Sequence, residues 1–571
     1  MKKIALLSAL LIAAAGYVCL QPVTPPPDLA TFMPGGALLY LQSPNFGGLL
    51  RDWNNSQVKA DWLASANYQV FSRSNLFNKL HEVYGQYGEA AGFAPDLENT
   101  IPIAGTDSAL ALYQIRDVEF LYVTRLSETA LAQSALWPLR DQFARREAGG
   151  VPFYLRSDPA SHRTVAFAFT KGYLLLATRD DLVAQALELM AGGRNPSLAS
   201  ERWSQAVLAQ APNRGDVRLV MNLEALRNST YFRTYWIQRN ASVLRRYWAG
   251  VADVHRQPTA ITETRVFLRT PDSPEAATQG ETAPISGLLA LVPPRAGIYK
   301  IAPISDPSAA AQLIVNKLIA SLPQGASNPL YAPNAAMPDA RAGTEADLET
   351  RIDQEPLPPD AGLADSTTAI RTLLQKAGAQ TVLWMQSTAP VSGTFLAMPS
   401  AAVLAAPTDW DAAAVRAALS DAAGKLWTTS QLGASWSAAT AGRHPLERLN
   451  GLGKLMFTSR GKLLFVGNDA DLLGSILDRA AGSAPPATIL TYAAGFRHLL
   501  ERPPFERMMA ALDFGSPRSG FGNMAGGREP SFFSGNIASL SRTLARVAEV
   551  RVTEQEKGAA TLQTVVYQLG Q

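Results

Sequence analysis

Phe169-Thr170-Lys171-Gly172-Tyr173-Leu174-Leu175-Leu176 and, far downstream, Phe457-Thr458-Ser459-Arg460-Gly461-Lys462-Leu463-Leu464-Phe465 are two versions of one pattern. Each reads as a pair of strands joined at a glycine. The aromatic, β-branched and aliphatic residues favour extended chain, and glycine supplies the tight turn. An acidic pair follows each, Asp180-Asp181-Leu182 and Asp469-Ala470-Asp471-Leu472, ahead of an amphipathic run that stops at Ala191-Gly192 and Ala481-Gly482. Carboxylates at a helix start meet its free N–H groups, and a glycine past its end terminates it. The unit is therefore a hairpin followed by a helix, and it occurs twice.

Three further pairs keep the same order outside this unit. Pro34 and Tyr40 match Pro293 and Tyr299. Val251-Ala252-Asp253-Val254 matches Val547-Ala548-Glu549-Val550, and Thr264-Arg265-Val266-Phe267 matches Thr564-Val565-Val566-Tyr567. Ordered recurrence is the mark of an internal repeat. The expected fold class is α+β: two tandem diverged copies of an antiparallel sheet with helices packed on one face, after an N-terminal signal or anchor segment. The first copy is placed at 28–270 and the second at 285–571, with the proline-rich linker 271–284 between them. Insertions are expected at 323–367, rich in Pro, Ala and Asp, and at 514–536, where glycines alternate with Phe521, Phe532 and Phe533. Within the first copy, strands are expected near 37–42, 109–115, 119–125, 164–169, 173–178, 217–222 and 262–269. Helices are expected near 58–71, 76–91, 128–145, 180–190 and 231–252.

At the other end of the chain, Lys2 and Lys3 precede an uncharged apolar stretch from Ile4 to Leu20. This is a secretory leader, removed after Ala15 at an A-x-A-like site, retained as a short anchor in the inner membrane, or lipidated at Cys19. The expected location is the periplasm, or the inner membrane with the folded part facing the periplasm. Residues 21–28 hold four prolines and form an extended stalk. This layout resembles a group of exported bacterial proteins known only as a domain of unknown function. The likeness rests on 34–41 after a leader and on the Gly172-Tyr173-Leu174-Leu175 hairpin with its helix. It implies a place in the cell envelope and no activity.

Composition narrows the chemistry. The 571 residues are 47% hydrophobic and 17% charged, which is globular, and 51 basic against 48 acidic residues leave a net charge of only +3. That balance builds no general field for nucleic acid, and none is expected as a partner. Cys19 is the only cysteine, so the folded part has no disulfide, thiolate nucleophile or cysteine metal site. His81, His162, His255, His444 and His498 show no metal-ligand spacing, and no metal or other cofactor is expected. Ser56-Gln57-Val58-Lys59 fits S-x-x-K, yet Ser56 stands where a helix cap is wanted. Gly451-Leu452-Gly453-Lys454 lacks the spacing of a phosphate loop. No catalytic residue is assigned.

Two stretches are candidates for contact with a partner, an envelope protein or a glycan. Arg233, Arg239, Arg245 and Arg246 accompany Tyr235, Trp236, Tyr247 and Trp248 on an expected helix over 231–254, whose leading reading is structural, with the aromatics packed on the sheet and the arginines solvated. Phe532 and Phe533 sit in the glycine-rich insertion. The leading expectation is a non-catalytic envelope binding or scaffolding protein. The alternative is a periplasmic hydrolase whose site assembles from residues distant in sequence.

Overall fold

The computed structural model describes residues 27–570 except 74, 116, 229–245, 272–284, 320–360, 388–397, 428–434, 452–453, 481–489, 505 and 507–543. The first half contributes ten strands: β1 Leu39–Ser43, β2 Ser108–Gln114, β3 Glu119–Arg125, β4 Ala144–Ala148, β5 Val151–Ser157, β6 Thr164–Thr170, β7 Tyr173–Ala177, β8 Val217–Met221, β9 Tyr247–Arg256 and β10 Ala260–Arg269. The second half contributes β11 Ile298–Pro303, β12 Thr381–Gln386, β13 Ser400–Ala405, β14 Ser435–Ala441, β15 His444–Asn450, β16 Lys454–Arg460, β17 Leu463–Gly467, β18 Tyr492–Phe496, β19 Val547–Lys557 and β20 Ala560–Leu569.

Every pairing is antiparallel, and the two halves use one strand order. In the first it runs β4-β5-β6-β7-β3-β2-β1-β8-β9-β10. In the second it runs β14-β15-β16-β17-β13-β12-β11-β18-β19-β20. The quoted stretches form the hairpins β6–β7 and β16–β17, at the same place in each order.

The last strand of each half joins the halves. β10 pairs with β20, with Thr264 opposite Thr564, Ala260 opposite Gln568 and Leu268 opposite Ala560. This register is unchanged when the halves are exchanged, so a pseudo-two-fold axis passes through the Thr264–Thr564 pair. Edge strands are prone to add further chains. Here the two inner edges satisfy each other and one sheet runs through the molecule.

Helices cover the sheet on one face, and further helices cover the opposite face as well. β13 shows why, since all six of its residues are buried. Successive side chains on a strand point to opposite faces. Ala402 and Leu404 pack with helices Pro307–Ile314, Ala361–Ala377 and Ala412–Leu426. Ala401, Val403 and Ala405 pack with helices Ile285–Leu289 and Ala470–Ala480. In the first half, helix Asp180–Met190 takes the place of Ala470–Ala480.

Four expectations need correction. The helix over 231–254 is not formed in its described part: Tyr247–Arg256 is strand β9, paired on both sides with β8 and β10. Its residues 249–253 are all buried, on both faces of the sheet, and the pairing on both sides outweighs local helix propensity. The helix expected over 128–145 stops early, at Ala132, and Ala144–Ala148 is strand β4. Residues 361–367, taken as the end of an insertion, begin a helix whose Ile370 and Leu374 reach the core. The registers also equate Asp253 with Thr553, not with Glu549, because Asp253 faces Thr264 and Thr553 faces Thr564. The leader, most of the linker and the 514–536 insertion lie outside the described residues.

Candidate functional site

Shared registers let the halves serve as controls for one another. They equate Gln42 with Ile301, Arg218 with Ala493, Arg125 with Ala405, and Tyr173 with Leu463. Polar groups present in one half and apolar in the other are not demanded by the fold. Two such groups in the first half each border a cavity.

One is a lateral row on a single face. Gln42, Arg218 and Asp253 stand opposite one another on β1, β8 and β9, and all three are buried. Arg218 grips Asp253 with two hydrogen bonds of 2.8 Å and donates a third, 2.7 Å, to the Ala211 carbonyl. Asp253 also accepts from the Gly215 N–H at 2.9 Å. A cavity of about 300 Å³ beside the row is lined by Pro27, Asp28, Gln42, Asp107, Arg214 and Arg218. Its cations are already matched, Arg214 with Asp107 at 2.8 Å and Arg218 with Asp253. The row ties the 211–215 loop to the sheet.

The other is a cavity of about 890 Å³ at the end of the sheet, lined by Arg51, Ile101, Pro102, Gly105, Thr106, Arg125, Leu126, Ser127, Ala130, Gln133, Lys171, Gly172 and Tyr173. Three of these are cations, and none is a carboxylate or a histidine. Arg51 has no ion-pair partner among the described residues. Arg125 extends from the end of β3 and donates to the Tyr173 hydroxyl at 3.1 Å, with its guanidinium 5.6 Å from that ring's centre. The phenol fixes the direction of the guanidinium without neutralising it. Lys171 donates to the Met190 carbonyl at 3.3 Å, at the C-terminus of helix Asp180–Met190, where positive charge is favoured.

Local structure explains the cavity's shape. The Ala104 carbonyl accepts from the hydroxyls of Tyr122, Ser108 and Thr124. Burial pushes the Tyr122 phenol up to about 12, so it stays protonated and donating. These bonds pin the turn at Gly105, which has φ +67°, a region L side chains avoid. A Cβ there would lie 2.2 Å from the Thr124 hydroxyl and 2.5 Å from the Arg125 carbonyl oxygen. Gly47 fits against the same turn and donates to the Gly105 carbonyl at 3.0 Å, which seats helix Phe46–Asn54 and its Arg51 at the rim. Gly105→Ala is expected to destabilise the fold by more than about 2 kcal/mol, read from a denaturant melt. An unchanged midpoint would refute the clash.

In the second half the corresponding space is closed. The chain passes from Leu126 directly to Ser127, the N-cap of helix Glu128–Ala132, but from Ala406 through the extra residues 407–410 to Asp411, the N-cap of helix Ala412–Leu426. Those residues bring Trp410 onto the hairpin turn. It is buried, its backbone N–H bonds the Gly461 carbonyl at 3.2 Å and its indole N–H bonds the Lys462 carbonyl at 3.1 Å. The turns differ too. Lys171 holds φ +50°, a strained value for a non-glycine residue, where the second half has Gly461.

The residues singled out by sequence fall elsewhere. Arg233, Arg239, Arg245, Phe532 and Phe533 lie outside the described residues, and Arg246 is exposed in the turn before β9. Ser56 caps its helix, accepting from the Lys59 N–H at 3.1 Å. Asp180 and Asp181 stand in the first turn of their helix but bond Arg146 and Arg179 and make no cap bond. His444 lies between Asp478, 2.8 Å from Nε2, and Arg460, 2.7 Å from Nδ1. Arginine only donates, so Nδ1 accepts and the ring proton sits on Nε2, toward Asp478. The position a serine nucleophile would need is held by the guanidinium. Among the described residues no three His, Asp or Glu side chains converge as metal ligands.

No family model matches the chain, and no curated protein matches it. Two solved structures align to part of it. Crystal form I of TP0453 is 11% identical, covering 44% of this chain and 81% of that one, with a TM-score of 0.24. Crystal form III is 14% identical, covering 48% and 90%, with a TM-score of 0.25.

Proposed function

We propose that the chain is a non-catalytic binding protein of the cell envelope, made of two copies of one unit that arose by duplication, and that its first copy binds an anionic ligand at the Arg51–Arg125 cavity. The observation that carries the reading is the charge of the lining: Arg51, Arg125 and Lys171 with no carboxylate. Uncompensated guanidinium groups in a concave site favour carboxylate, sulfonate or phosphate, which accept their N–H groups in pairs. Ile101, Pro102, Leu126 and Ala130 offer an apolar wall to the rest of the ligand. Duplication frees one copy to gain a site while the other keeps a packed core, and Trp410 stands where the first copy is open. The Lys2-Lys3 leader supports an envelope location.

Calorimetric titration with naphthoate tests this. Wild-type protein is expected to bind it, and Arg51→Gln and Arg125→Ala each to weaken binding about tenfold, the cost of one charge-assisted contact. Arg125→Ala installs the residue of the second half, Ala405, so the fold tolerates it. Naphthoate binding that ignores both substitutions would sink the reading.

A further inference from the structure

We infer that the cavity selects a dianionic phosphomonoester head on an apolar body, over a monoanionic carboxylate. This rests on the anion-binding reading above and sharpens it. The lining is rich in donors. Arg51 and Arg125 carry five N–H groups each and Lys171 three, of which one from Arg125 and one from Lys171 are engaged by Tyr173 and Met190. Ser127 Oγ accepts from the Ala130 N–H at 3.2 Å, and its own proton has no acceptor among the described residues. Gln133 adds an amide. No side-chain carboxylate in the lining competes for these donors. A carboxylate brings two oxygens and one charge to this set. A phosphomonoester brings three terminal oxygens and close to two charges at neutral pH.

Size points to an organic ester. A cavity of about 890 Å³ is far larger than a phosphate ion, and the wall of Ile101, Pro102, Leu126 and Ala130 lies beside the cations. The charged groups facing the cavity are Arg51, Arg125 and Lys171, and neither a carboxylate nor a histidine lines it. The ligand therefore supplies any pH dependence there, since the second ionisation of a phosphomonoester falls near pH 6.

The experiment compares naphthyl phosphate with naphthoate and naphthyl sulfate by calorimetry on the full chain, at pH 8 and pH 5. Naphthyl phosphate is expected to bind about tenfold tighter than either monoanion at pH 8, and the margin to shrink to about threefold or less at pH 5 as the dianion is lost. Arg51→Gln and Arg125→Ala should reduce the phosphate ester's affinity more than naphthoate's. Equal affinity for all three, still lost in the arginine variants, would overturn the dianion preference and leave the anion site standing. Binding of all three that ignores the variants would overturn both. The same head occurs on soluble esters and on phosphatidic acid. Flotation with phosphatidylcholine vesicles containing phosphatidic acid separates these sources. Arg125-dependent co-flotation supports the lipid source, and ester binding without co-flotation supports the soluble one.

Discussion

Replacing Arg218 by alanine is expected to destabilise the protein by about 3–5 kcal/mol, because it leaves a carboxylate buried without its counter-charge. Asp253 is 2% exposed and takes two hydrogen bonds from Arg218. The alanine also frees the Ala211 carbonyl and loosens the loop that Arg218 holds. The second half states the remedy. Its Ala493 and Thr553 occupy the same positions in an equally continuous sheet. Combining Arg218→Ala with Asp253→Thr should recover most of the loss, since removing both members of a buried pair is far milder than removing one. Urea denaturation of the two single variants and the double variant forms the cycle. If the double variant is as unstable as the sum of the singles, the two residues are not coupled and the argument fails.

Trp410→Ala is expected to cost about 3–5 kcal/mol, the usual loss on emptying a large buried aromatic site. The indole is 7% exposed, packs in one core with Leu404, Val415, Leu419 and Leu464, and bonds the Lys462 carbonyl. Its removal opens, in the second half, the space that is a cavity in the first. That space lacks the cations, because Ala405 and Leu463 replace Arg125 and Tyr173. The variant should therefore melt earlier yet bind naphthoate with unchanged stoichiometry. A second binding event in Trp410→Ala would show that shape alone, without guanidinium groups, makes the site. A melt identical to wild type would show that Trp410 does not fill the core as described.

The candidate site was hardly legible in the sequence. Arg51, Arg125 and Lys171 lie on a helix, a strand end and a turn, so no local spacing connects them. Matching the hairpins at their glycines sets Lys171 against Arg460, basic against basic, and only the strand registers set Lys171 against Gly461 and Arg125 against Ala405. Clusters of like residues misled instead. The arginine–aromatic run was assigned to a helix that its described end does not form, because the pairing of β9 with β8 and β10 outweighs what a contiguous stretch prefers on its own.

What the sequence by itself determined are the features that need only near neighbours. The hairpins at Gly172 and Gly461, the helix Asp180–Met190, and most of the first half's strands follow from side-chain period, turn chemistry and helix stops. The tertiary structure decided what depends on partners hundreds of residues away. It set β10 against β20 about the Thr264–Thr564 pair, buried Asp253 under Arg218, and made strands of 144–148 and 247–256. It left a cation-lined cavity in one half and closed it with Trp410 in the other. The physical reason is common to all of these. Hydrogen-bond ladders and buried charges take their energy from groups that only the folded chain brings together, and no window of sequence contains both sides.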